Sequence, residues 1–285
     1  MEISRRWNLW YDCKRRSLKG RGATWVKGNM KAGQKLWTHN ELMLAINIYC
    51  KLDFGQLDHR TNEVIELADL IGRTPSAVAW KLNNFASFDP SLQARGIKGA
   101  TNASKLDKMV WEEFFENWDD KYLESEKSLA KVKNTTIEKL NNIELPKSIG
   151  LDKERIVKTR VNQSLFRKVI LATYNTTCCI SGLNIPELLI ASHIVPWSKD
   201  QKNRLNPMNG LCLNVLLDKA FDVGLLTISA KTYKVIISNK LKRTPVLGTH
   251  ENLLRYDGTD LKLPKRFLPS SEFLKIHNNY FAEKG

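Results

Sequence analysis

The 285-residue chain lacks any run of roughly eighteen apolar residues and any continuous apolar region behind a charged amino-terminal start. Neither a membrane-spanning helix nor a secretory leader is therefore expected, and the reading is of a soluble, cytoplasmic protein. Cysteine is sparse. Cys13, Cys50, Cys178, Cys179 and Cys212 make an odd set of five with no Cys-x-x-Cys pair, which excludes a disulfide framework and argues against structural zinc. These thiols are expected to be reduced and mostly buried. Acidic residues are scarce beside basic ones, 30 against 45, which leaves a net charge of +15. Such a field attracts polyanions, and nucleic acid is the leading partner. With 42% hydrophobic and 26% charged residues the chain is not biased toward disorder, and its length suits two small domains.

Residues 1–35 form a basic segment in which Trp7, Trp10, Tyr11 and Trp25 interleave with lysine and arginine. Aromatics in such a setting can stack on bases, although the plainer reading is a flexible extension, with Met30 a second candidate start. Regular structure is predicted from Thr38, whose spacing to Glu41 is that of a capping box opening a helix over 39–51. A second helix starts after Thr61 and stops at Gly72, and a third follows Thr74-Pro75 to about Phe85. This pair resembles a helix-turn-helix or winged-helix-like unit in outline, with Ser76, Lys81, Asn83 and Asn84 as candidate DNA contacts. An ordinary helical hairpin is the plainer alternative. One long amphipathic helix is predicted over 104–132, completing a helical DNA-recognition domain at 36–132. Residues 133–155 are polar, broken by Pro146 and Gly150, and read as a linker.

Beyond it the pattern changes to a basic helix, then short apolar runs, LLIASHIV, GLCLNV, LLTIS and KVIIS, with a short helix around 216–223 and a closing helix in the tail. The fold class is thus α+β. Hydrolysing a phosphodiester needs a base for water, a cation to offset charge on the phosphoryl and leaving oxygens, and a frame that aligns them. His193 ends the first apolar run, Asn209 lies in a turn, and Asp218 and Asp222 sit four apart on the short helix. Residues at that spacing share one face, so both carboxylates can offer hard oxygens to one Mg²⁺ or Mn²⁺ ion. Taken singly, each has a plainer role: a strand-end histidine, a turn asparagine, two acids of a helix surface.

The stretches RVNQSLFRKVILATYNTTCCISGL, ASHIVPWS, RLNPMNGLCLN, LDKAFDVGLLTI and LPKRFLP resemble the HNH nuclease family. Residues 154–285 as a whole are similar to bacterial HNH proteins described as predicted restriction endonucleases. The resemblance implies a ββα-metal domain over 156–285 including the tail. It makes His193 the general base, Asn209 the residue that fixes the loop, Asp218 a metal ligand and Asp222 a further ligand. The sequence departs from many relatives at Ser192, where they carry an acid or histidine, and at Leu217, where they carry histidine. Arg160, Arg167, Lys199, Lys202 and Arg204 are candidate phosphate contacts, or else a solvated basic face. The combined reading is a metal-dependent endonuclease on double-stranded DNA, of restriction type, with dependence on modified bases left open. A homodimer is implied if its site is palindromic. A non-catalytic DNA-binding protein on a degenerate HNH scaffold is the alternative, and a structure-selective or RNA-directed nuclease a third.

Overall fold

The computed structural model describes residues 35–94, 96, 103–144, 153–200, 202–244 and 251–284. The basic segment 1–34, Cys13 among it, lies outside the described residues. The first helix among the described residues opens at the capping box. The Thr38 hydroxyl accepts the Glu41 N–H at 3.3 Å while the Glu41 carboxylate accepts the Thr38 N–H at 2.8 Å, opening α1 (His39–Lys51). Leu42, Ile46 and Tyr49 are fully buried, because α1 is the axis of the helical half. Around it pack α2 (Asn62–Ile71), α3 (Pro75–Ala86), α5 (Lys105–Glu116), α6 (Trp118–Val132) and α8 (Lys153–Thr173), with the short α4 (Pro90–Ala94) after α3. Gly72 ends α2 in the left-handed region at φ +64.

The single helix predicted over 104–132 is two. Asn117, at φ −127 and ψ 50, breaks it, and Asp119 and Asp120 open the second segment as first-turn acids. The break lets both halves meet α1, with Phe114, Phe115 and Trp118 packed edge to face where they join. The stretch read as a linker packs down over its described part. Thr136 caps α7 (Ile137–Leu140), and buried Asn141 donates to Glu126 on α6 at 2.8 Å. Glu126 is fully buried and also holds Lys51 and Asn47, so an acid absent from the apolar pattern ties three helices together.

The second half is α+β. Strands β1 (Leu189–His193) and β2 (Gly210–Asn214) form an antiparallel hairpin in which His193 faces Gly210, and α9 (Val215–Asp222) follows β2 directly. Asn214 caps α9 by accepting the Leu217 N–H at 2.9 Å. A second hairpin, β3 (Leu226–Ile228) with β4 (Val235–Ile237), leads to the short α10 (Asn239–Arg243) and α11 (Glu251–Leu254) and then to α12 (Ser271–Lys284). Cys50, Cys178, Cys179 and Cys212 are free and buried. Among the described residues no helix is long and apolar enough to cross a membrane.

A segment between α11 and α12 crosses back to the helical half. Arg266, 1% exposed, donates to the carbonyls of Tyr49 and Leu52 at the C-terminal end of α1, and its guanidinium lies 4.8 Å from the Tyr49 ring. Phe267 N–H donates to Ser91 Oγ at 2.9 Å, and Ser270 N–H donates to Met208 O at 2.9 Å. Five residues, 266–270, thus join the last turn of α1 to the turn that precedes β2.

Candidate active site

His193 closes β1 with its ring half-buried and stacked on Phe166 of α8, centroids 3.8 Å apart and planes at 8°. Its Nε2 lies 2.8 Å from the Arg204 carbonyl. A carbonyl only accepts, so Nε2 carries the proton and donates, and the Nδ1 lone pair is left without a partner among the described residues. Burial disfavours the charged ring and moves its pKa below the ordinary value, against a smaller opposing pull from the Arg204 carbonyl. The result is a neutral imidazole of one tautomer, oriented by a helix aromatic on one side and a main-chain acceptor at its rim.

Asn209 is 0% exposed. Its Oδ1 accepts the Val195 N–H at 2.8 Å, and its Nδ2 donates to the Val195 carbonyl at 3.1 Å and to the Asn203 carbonyl at 3.3 Å. Its own carbonyl accepts the Ile194 N–H at 2.9 Å. One side chain therefore staples both ends of the loop between β1 and β2, including the stretch from which Arg204 reaches His193.

Across the hairpin, Asp218 and Asp222 stand four apart on α9. Burial raises the Asp218 carboxyl, with the Ser192 hydroxyl and Lys219 pulling the other way. Burial raises Asp222 as well, and the charge of Asp218 adds to it. Two partly buried carboxyls with raised proton affinity, one of them lifted further by its neighbour's charge, form a locus that a cation relieves. Ser192, next to His193 in β1, is buried, its hydroxyl within reach of the Asp218 carboxyl though short of regular hydrogen-bond geometry. Leu217, 1% exposed, turns into the core of the motif, so an apolar side chain fills the interior there.

Strand, turn, strand and helix therefore carry a fixed imidazole, a loop staple and an acid pair in that order. A family model described as HNH endonuclease matches residues 178–229, the stretch that contains all four residues. The chain carries an HNH endonuclease domain. Comparison with curated proteins gave no match.

Within the HNH domain the Asn209-Gly210 dipeptide does more than turn the chain. A Cβ at Gly210 would stand 2.9 Å from the Phe166 ring and overlap Ile170, because β2 runs hard against α8. Gly210→Ala is expected to push Phe166 out from beneath His193 and to destabilise the fold by about 1–3 kcal/mol, the usual range for overpacking. Urea unfolding read beside cleavage rate checks both effects. The part played by Phe166 was not evident in the sequence, where an aromatic on a helix carries no sign of what stacks on it.

The basic candidates divide. Arg160, Lys199 and Lys202 are exposed. Arg204 lies with its guanidinium 5.1 Å from the Trp197 ring. Arg167 is committed to structure, donating to the carbonyls of Leu189 at 2.6 Å and Pro186 at 2.9 Å where β1 begins. On α3 the expectation needs correcting. Lys81 is buried, its Nζ 2.9 and 2.8 Å from the Asp107 carboxylate, and Asn84 is buried too. Asn83 donates to the Leu57 and Ala79 carbonyls, which leaves Ser76 exposed on that helix, with Trp80 at 67% exposure. The neighbouring α2 exposes Glu63, Glu66 and Asp69. The polar spacing on α3 came from an inward ion pair with a partner 26 residues away, not from a face aimed at a groove.

Proposed function

We propose that the protein is a metal-dependent DNA endonuclease of restriction type, cutting phosphodiester bonds of duplex DNA through its HNH domain. The observation that carries this reading is the single tautomer of His193, with Nε2 spent on the Arg204 carbonyl and Nδ1 open to take a proton from water. Asn209 acts as a positioning residue, keeping the loop and hence the imidazole in register. Asp218 with Asp222 would hold one divalent cation, which supplies charge neutralisation at the phosphoryl and leaving oxygens. Their donor set fits Mg²⁺ or Mn²⁺. Among the described residues no three His, Cys, Asp or Glu converge as ligands, whereas two carboxylates completed by water and phosphate are the habit of a hard cation. Zinc, which takes three or four protein ligands, is not suited. Arg160, Lys199, Lys202 and Arg204 are the phosphate contacts of this reading, and the helical half is its recognition region.

A plasmid incubated with purified protein and Mg²⁺, Mn²⁺ or EDTA tests it. Nicked or linear DNA is expected with either metal and none with EDTA. Shifted but intact DNA under all three conditions would make the protein a binder that kept an HNH scaffold, and cleavage undiminished by EDTA would remove the metal from the mechanism.

A further inference from the structure

Helix α12 is seated against the Asp222 end of α9. Tyr280 donates its hydroxyl to the Asp222 carbonyl at 3.2 Å. His277 stacks on Phe221 at 3.6 Å and lies 2.8 Å from Thr227 Oγ1, which fixes the helix in rotation. Gly224, left-handed at φ +75, lets α12 approach: a Cβ there would stand 3.1 Å from Lys284 Cβ and 3.6 Å from the Tyr280 ring. Two ammonium groups share that ring. Lys199 Nζ, from the loop stapled by Asn209, lies 5.4 Å from its centroid, and Lys284 Nζ, from the end of α12, lies 5.8 Å from it. Among the described residues neither ammonium has a carboxylate partner.

Surface lysines usually scatter, and among the described residues many are held by an acid. Here two from distant parts of the sequence are gathered around one aromatic ring, without an acid among the described residues, beside the carbonyl of a residue of the acid pair. The ring positions both through the attraction of its face for cations, which leaves their N–H donors free for an anion. We propose that Lys199, Lys284 and Tyr280 form a second phosphate-binding subsite, which holds a backbone phosphate of the bound DNA strand next to the scissile one at the Asp222 end of α9. The subsite rests on the nuclease reading above. It gives α12 a role in grip on DNA, because it couples the last turn of the helix to the loop that orients His193. The plainer duty for the two lysines is to offset the negative end of the α9 dipole.

Binding of a DNA duplex by full-length His193→Ala protein, followed by anisotropy across a salt series, separates these roles. Each phosphate neutralised contributes about 0.9 to the slope of log K against log salt. Lys199→Gln with Lys284→Gln is expected to flatten the slope by about 0.9, with the thermal midpoint unchanged, and arginine at both positions to restore it. An unchanged slope with a lowered midpoint would assign the lysines to the helix end and overturn the subsite while leaving the nuclease reading intact. Absence of salt-dependent DNA binding in the parent protein would overturn both.

Discussion

Replacing His193 with alanine is expected to lower the cleavage rate by about 10²–10⁴-fold, the usual contribution of a positioned general base, while DNA affinity holds. The ring meets Phe166 and a main-chain carbonyl, so its loss leaves no buried charge and no orphaned carboxylate. The same ring sets the pH dependence. As the proposed base His193 acts in its neutral form, and burial lowers its pKa from 6.5, so that form persists to more acidic pH than an exposed histidine allows. Activity is lost as pH falls through that lowered value. The acidic limb of kcat/KM is therefore expected below pH 6.5, and should vanish from whatever residual rate the alanine variant retains. Full-rate cleavage by His193→Ala, or a limb above that value, would sink the assignment of the base.

The second large effect lies far from the acid pair. Arg266→Ala should destabilise the chain by about 3–5 kcal/mol, the range seen when one member of a buried charged set is removed. The guanidinium serves two carbonyls at the end of α1, which a helix terminus leaves unpaired. It also opposes the burial that raises the Asp89 carboxyl, so its removal strands that acid in the core. Arg266→Lys keeps the charge but not the planar fork, and should fall between the two. Urea midpoints of the three proteins check the order. A loss below about 1 kcal/mol for alanine would mean that solvent reaches those carbonyls once the side chain is gone.

Neither effect was equally legible beforehand. His193, Asn209, Asp218 and Asp222 could be named as candidates because their joint pattern is local: an apolar run before the histidine, an Asn-Gly turn, a four-residue spacing of acids closed by a left-handed glycine. The helix starts at Thr38 and Thr74 were legible for the same reason, since a cap is written within four residues. What the sequence could not show were partners remote along the chain. Lys81 looked like a DNA contact because nothing near it reveals Asp107. Arg167 looked free because its acceptors are backbone carbonyls, which every residue has. The break at Asn117 was hidden by an apolar pattern that continues through it, and Arg266 sat in a Pro-flanked tail where local signals suggest only a loop.

That arginine also sets an order of assembly. Its acceptors lie 217 and 214 residues before it, contacts of long sequence separation that form late in folding. A ribosome will have made α1, β1, β2 and α9 long before the residue that closes α1 emerges. An unfinished chain thus holds every residue of the proposed nuclease centre without the wedge that joins them to the helical half.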